Sequence, residues 1–250
     1  MRIMVYGDSN SWGYLDEENG LREPRRFEGR WPVVMARALS GQGQAQVQGQ
    51  EAKVSPQAGS SVVKAVELVE ECLPGRTTDV DDPVRGACMN GARPLEALLL
   101  SHTPLDLILL MLGTNDLKAR YGRSPAEVVG GMMALADTIT GLDYWPNVGP
   151  VARRPRLAVI CPPALGARAD QPDYRFKNDW VSGRDKSLAL PALAAAACEH
   201  RGLACFDANQ AVASSDRDPI HWTREGHASF GAAMADWVAG AGLLGTTDAG

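Results

Sequence analysis

A serine, a histidine and an aspartate in this sequence have the residue types and the spacing that nucleophilic catalysis requires. Ser9 belongs to the stretch GDSNSWG, which ends a short apolar run near the N-terminus. A serine hydroxyl needs an adjacent base at neutral pH, and histidine is the usual base because its pKa lies near the operating pH. Asp218 precedes His221 by three residues in DPIH, so its carboxylate can orient the ring and stabilise the imidazolium.

The chain has four histidines, and His221 is the best candidate for the base. His200 ends a predicted helix, where a cation suits the helix C-terminus. His102 lies on a predicted turn, and His227 falls inside the last predicted helix, so both have structural interpretations. An acyl-transfer intermediate also needs hydrogen-bond donors for its oxyanion, and the side-chain amide of Asn115 could supply one.

Predicted strands and predicted helices alternate along the chain, and this alternation predicts where the candidate catalytic residues meet. The predicted strands cover residues 2–6, 65–71, 105–112, 156–163 and 203–207, although the second segment is also compatible with a helix. The predicted helices cover residues 31–39, 94–102, 124–140, 184–200 and 223–241. Such alternation predicts one α/β domain, a flavodoxin-like three-layer α/β/α sandwich around a parallel sheet of about five strands. Ligands bind at the carboxyl ends of such strands, where Ser9, Asn115 and His221 would lie.

The composition argues against several classes of protein. The chain has 250 residues, is 45% hydrophobic and carries a formal net charge of −5, so the basic face of a nucleic-acid binder is not expected. Its apolar runs are shorter than a membrane span, and its N-terminal run is too short for a signal peptide. We therefore expect no membrane association and a cytoplasmic location. The five cysteines are odd in number and form no CxxC pair, which favours reduced thiols and argues against zinc.

We expect a single domain over residues 1–250, with two segments outside its compact part. The polar, low-complexity segment 41–60 is predicted to be a surface insertion, and residues 242–250 are predicted to form a flexible tail. The carboxylate-rich stretch DVDDP at 79–83 is interpreted as a solvated loop, because no histidine or EF-hand spacing accompanies it. No metal site and no organic cofactor is predicted.

Three ordered blocks of the sequence resemble the SGNH, or GDSL-type, hydrolase family. They are GDSNSWG near the N-terminus, GTND in mid-chain and DPIH near the C-terminus. The similarity is greatest to the arylesterase and acyltransferase branch, which shares further short motifs in the same order. These are Trp12-Gly13, Arg30-Trp31, Arg76-Thr77-Thr78, Asp81-Asp82-Pro83, Asn90-Gly91, the stretch HTPLDL at 102–107 and Pro162-Pro163. The ordered set covers most of the chain and is far more specific than GDS alone.

The resemblance implies a role for each matching residue. Ser9 would be the nucleophile, His221 the general base and then acid, and Asp218 its orienting partner. Asn115 and the backbone N–H of Ser9 would be oxyanion donors. The family supplies a third donor from a glycine, and we match that position to Cys72 in EECLPGRTT. A backbone N–H donates from any residue except proline, so Cys72 is included in the predicted oxyanion hole.

The implied activity is that of a serine esterase that acts on short-chain aryl or alkyl esters through an acyl-Ser9 intermediate. Acyl transfer to alcohols, a small-molecule ester substrate and a homo-oligomeric state are also implied. Asp8, Asn10 and Trp12 are predicted to border the substrate pocket, and Asn10 departs from the leucine usual in the family. Two alternatives remain: a carbohydrate O-acetylesterase with the same triad, and a non-catalytic binding protein with the same fold.

Overall fold

A five-stranded parallel sheet forms the middle layer of the protein. The computed structural model describes residues 1–18, 25–41, 66–142 and 154–244. Strands β1 to β5 are Arg2–Gly7, Glu67–Cys72, Leu107–Met111, Arg156–Cys161 and Ala204–Asp207. Their order in the sheet is β2-β1-β3-β4-β5, and each neighbouring pair is parallel. This is the flavodoxin-like order, and its direction of winding reverses at β1 and β3.

Helices cover both faces of this sheet. Helices α1 to α6 are Ser9–Trp12, Trp31–Leu39, Ala92–His102, Pro125–Gly141, Gly183–His200 and Arg224–Gly240. Side chains alternate along each strand, so β1 and β3 supply an apolar row to each face. Residues of α3, α4 and α5 pack on one face, and residues of α2 and α6 pack on the other. The predicted three-layer α/β/α sandwich is confirmed.

The predicted elements match the observed ones closely, because their periodic apolar patterns are buried as expected. The ambiguous segment 65–71 contains strand β2, and Pro191 lies inside α5. Ser124 caps α4 with a complete capping box, and the Thr223 side chain caps α6. The one-turn helix α1 was not predicted, because a four-residue helix has no periodicity to detect.

Two expectations fall largely outside the part of the chain that the structure describes. Of the predicted insertion 41–60 only residue 41 is described, and of the predicted tail 242–250 only residues 242–244 are. Both therefore stay predictions. None of the described helices is both long and apolar enough to cross a membrane.

Candidate active site

Ser9 is the first residue of helix α1, directly after the carboxyl end of central strand β1. The Asp8 side chain caps the helix by accepting from the Asn10 N–H at 3.1 Å. Strand and helix approach so closely that a Cβ on Gly7 would lie 2.4 Å from Ser11 Oγ. Only glycine fits there, and this tight turn holds the Ser9 hydroxyl at the sheet edge.

His221 joins Ser9 to Asp218 through its two ring nitrogens. Its Nε2 lies 3.1 Å from Ser9 Oγ, and its Nδ1 lies 2.7 Å from Asp218 Oδ2. The ring also packs against Tyr14, with 4.3 Å between the ring centroids and a tilt of 32° between the ring planes. The structure thus brings Ser9 together with Asp218 and His221, which follow it by more than 200 positions, in the geometry of a nucleophile, a base and an orienting carboxylate.

Asp218 is fully buried, and its ionised form is held by donors on both oxygens. Oδ1 accepts from the backbone N–H groups of Ile220 at 2.9 Å and His221 at 3.2 Å, while Oδ2 faces the ring. Burial by itself would raise the pKa of Asp218, but the hydrogen bonds, led by that of His221, hold it below its usual value. The carboxylate therefore stays charged and can stabilise an imidazolium.

Asn115 lies on the short turn after strand β3, beside Ser9 in the wall of a cavity of about 310 Å³. Its Nδ2 donates to the Arg76 carbonyl at 3.1 Å and lies 3.5 Å from Asp8 Oδ2, while its Oδ1 accepts from Lys118 Nζ at 2.8 Å. These partners fix which end of the amide is the donor. Burial lowers the pKa of Lys118 to about 8.

Cys72 lies outside the cavity, which corrects the expectation that its N–H belongs to the oxyanion hole. In β2, Glu67 N–H donates to the Met1 carbonyl at 2.8 Å and Leu73 N–H donates to the Gly7 carbonyl at 3.1 Å. Donors alternate along a strand, so the Cys72 N–H points away from β1 and from Ser9. Its thiol contacts the Val5 carbonyl at 3.5 Å instead.

Pro74 and Gly75 of this segment line the cavity together with Ser9 and Asn115. Proline has no N–H, so Gly75 is the one of the two that can donate. Its φ of 92° lies in the left-handed region, where a glycine is favoured. The signal in the sequence was the Pro-Gly pair directly before Arg76 in EECLPGRTT, a typical turn dipeptide that follows the strand. The N–H of Gly75 is thus a candidate oxyanion donor that the sequence interpretation missed.

Asp116 fastens the turn that carries Arg76 and Thr78 to the turn that carries Asn115. Its buried carboxylate accepts from the Thr78 N–H at 3.0 Å and hydroxyl at 2.5 Å, and from Arg123 at 2.8 Å. Burial raises the pKa of Asp116 to about 6, against these lowering hydrogen bonds. Asp116 therefore has a structural role: it fixes the position of the turn after β2 relative to the turn that carries Asn115.

Three predicted pocket residues, Asp8, Asn10 and Trp12, are absent from the lining of the cavity. Two of these side chains are engaged elsewhere: Asp8 caps the helix, and Asn10 Nδ2 donates to the Ile220 carbonyl at 3.1 Å. Burial raises the pKa of Asp8 to about 6. Asp8 and Asn10 therefore support the site from outside the cavity, which corrects the prediction that they border the substrate.

The loop between β4 and α5 supplies much of the cavity wall, and none of its lining residues belongs to a motif identified in the sequence. Its contribution is partly aromatic and partly charged, namely Tyr174, Arg175, Phe176, Asp179 and Trp180. Tyr14, Arg85, Lys118 and Ile220 complete the side walls. Within the described residues no group of three or more histidine, cysteine or acidic side chains could hold a metal ion.

Solved structures closely match this fold over nearly its whole length. A carbohydrate acetylesterase from Sinorhizobium meliloti, Est24, is 30% identical with a TM-score of 0.78, covering 96% of this chain and 99% of its own. The aryl esterase of M. smegmatis is 31% identical with a TM-score of 0.77 and the same coverage. The chain belongs to the SGNH, or GDSL-type, hydrolase family.

More distant SGNH hydrolases share the fold alone. The lipase/acylhydrolase from Enterococcus faecalis is 15% identical, with a TM-score of 0.61 and 99% coverage of both chains. The sequence matches none of the protein-family models and none of the curated proteins. Among SGNH hydrolases, the relatives at about 30% identity support carboxylic ester hydrolysis as the class of reaction.

Proposed function

We propose that this protein is a serine esterase that hydrolyses short-chain carboxylic esters through an acyl-Ser9 intermediate. The observation that carries the proposal is the pair of hydrogen bonds on opposite nitrogens of His221, at 3.1 Å to Ser9 and 2.7 Å to Asp218. In this arrangement Nδ1–H donates to Asp218, so Nε2 is left unprotonated and accepts the serine proton.

The reaction then proceeds in two steps. Ser9 Oγ attacks the ester carbonyl carbon while His221 Nε2 takes the hydroxyl proton, and the imidazolium is stabilised by Asp218. The oxyanion accepts from the Ser9 N–H, the Asn115 amide and the Gly75 N–H, which replaces Cys72 as the third donor. His221 returns the proton to the leaving alcohol, and water activated by the same base releases the acyl group. Another alcohol in place of water gives acyl transfer.

The aromatic part of the cavity wall favours aryl esters. Tyr174, Phe176 and Trp180 offer flat apolar surface beside the catalytic residues, and an aromatic alcohol can pack against it. A carbohydrate O-acetylesterase is the second candidate, because Est24 is described as a carbohydrate acetylesterase. A homo-oligomeric assembly and a cytoplasmic location stay predictions.

The test is hydrolysis of p-nitrophenyl acetate, butyrate and octanoate by the wild type and by Ser9→Ala. We expect activity on acetate and a decrease of about three orders of magnitude in Ser9→Ala. Ser11→Ala is the matched control, because Ser11 lies in the same short helix and its buried hydroxyl is outside the cavity lining. Equal activity of Ser9→Ala and Ser11→Ala would refute the proposal. A panel of acetylated sugars against aryl acetates separates the two candidate substrate classes.

A further inference from the structure

Positive charge exceeds negative charge in the described part of the cavity wall. Arg85, Lys118 and Arg175 line the same cavity as Ser9, and the acidic lining residues are Asp179 and Asp218. Asp218 is already engaged by the His221 ring at 2.7 Å. The lining therefore has three cationic side chains and one remaining carboxylate, so the electrostatic potential in the cavity favours a negatively charged ligand.

The two arginines of this set lie beside groups that line the cavity. Within the described ranges neither Arg85 nor Arg175 has a carboxylate at ion-pair distance. A Cβ on Gly75 would lie only 3.3 Å from Arg85 Nη1, so this guanidinium borders the candidate oxyanion donor. The Arg175 guanidinium lies over the Phe176 ring, 4.5 Å from its centroid. Both cations are thus positioned at the cavity with their charge available.

A neighbouring cavity of about 300 Å³ provides the contrast. It shares Arg175 and the aromatic residues next to it, but its other arginines are neutralised. Arg168 pairs with Asp173 at 3.4 Å, and Arg217 pairs with Asp16 at 2.8 Å. The excess of positive charge is therefore a property of the cavity that contains Ser9, and it does not extend over this whole surface.

The size and the aromatic wall of the cavity limit the kind of charged ligand that can bind. About 310 Å³ is at the small end of ligand pockets, enough for one substituted ring beyond the reacting ester. Tyr174, Phe176 and Trp180 form an aromatic surface, and Lys118 Nζ lies 5.3 Å from the Trp180 ring centroid. A flat ring on that surface would bring a substituent of the ring within reach of the cations.

We propose that this cavity selects esters whose alcohol is a single aromatic ring carrying an anionic group such as a carboxylate. The proposal rests on the proposed esterase function, since it specifies the substrate of the same site. The reaction is unchanged: the acyl–oxygen bond breaks, water supplies the acid's hydroxyl, and the phenol leaves with its proton. Arg85 and Arg175 contribute by attracting and orienting the anionic end of the ring.

The experiment compares 4-acetoxybenzoate with 4-acetoxybenzamide, which have similar shapes and differ in charge. We expect kcat/KM to favour the anionic ester by about tenfold at low ionic strength, and this preference to shrink strongly at about 0.5 M salt. Arg85→Gln and Arg175→Gln should each reduce the ratio of the two kcat/KM values by about threefold. Arg37→Gln is the matched control, because exposed Arg37 on α2 is outside the cavity lining and its loss changes net charge equally. That variant should keep the wild-type ratio.

The outcomes separate this inference from the proposed function. If Ser9-dependent hydrolysis occurs with a ratio near one at every salt concentration, the anionic preference is wrong and the esterase proposal stands. If the wild type hydrolyses neither p-nitrophenyl acetate nor either of the two test esters, the esterase proposal itself fails. Competitive inhibition of the wild type by 4-hydroxybenzoate and 4-hydroxybenzamide gives a readout that needs no variant to fold. Tighter inhibition by the anion supports the proposal, and equal inhibition overturns it.

Discussion

Replacing Asp218 with asparagine tests the proposed mechanism most directly, because the structure fixes how the new amide would lie. Oδ1 accepts from two backbone N–H groups, those of Ile220 and His221, so the asparagine oxygen must occupy that position. Its NH₂ group then faces Nδ1 and makes that nitrogen an acceptor. The ring proton moves to Nε2, which faces Ser9 and can no longer accept the hydroxyl proton.

The loss of the Asp218 negative charge determines how far kcat should fall. Two opposite unit charges about 4 Å apart attract by about 4 kcal/mol at an effective dielectric constant of about 20. This attraction to the carboxylate forms with the imidazolium in the transition state and vanishes in Asp218→Asn. A barrier higher by about 4 kcal/mol corresponds to a decrease of about a thousandfold in kcat. KM should change little, because Asp218 touches the ring and not the substrate.

Steady-state kinetics on p-nitrophenyl acetate measure the effect, with Asp216→Asn as the control. Asp216 is exposed in the same loop, and its substitution makes the same change of charge. Unchanged far-ultraviolet circular dichroism would show that both variants fold. A decrease smaller than about tenfold in Asp218→Asn, or an equal decrease in Asp216→Asn, would refute the assigned role of the carboxylate.

Two further predictions concern the oxyanion donors. Gly75→Ala should lower kcat and cost about 1–2 kcal/mol of unfolding free energy in urea, since φ there is 92°, whereas Cys72→Ala should keep wild-type kcat. A wild-type kcat in Gly75→Ala would contradict the assignment of Gly75 to the oxyanion hole, and Cys72→Ala, which keeps its backbone N–H, controls for a change elsewhere in this segment. Lys118→Met frees the Asn115 amide to rotate, so kcat should fall about tenfold. The wild-type kcat should also decline above pH 8, where a Lys118 of pKa about 8 loses its proton, and Lys118→Met should lack that decline. A wild-type plateau up to pH 10 would contradict this.

Much of the fold was predictable because each element carries its own local signal. Strand β3 is a continuous apolar run, and α4 begins with a serine cap and a proline, as such a helix should. The edge at which Ser9, Asn115 and His221 meet follows from the parallel sheet alone. The third oxyanion donor did not follow, because matching Cys72 to a family glycine ignores which way its N–H points.

The sequence by itself determined the chemistry of this protein, and only the tertiary structure decided which groups surround that chemistry. Serine, histidine and aspartate in an ordered set of motifs have few interpretations, since few residue types can act as nucleophile, base and orienting acid. The direction of an N–H or a side chain depends on strand pairing and on contacts between distant segments. For that reason only the folded structure places three further parts of the chain at the site: Gly75, Arg85 and the loop that carries Arg175.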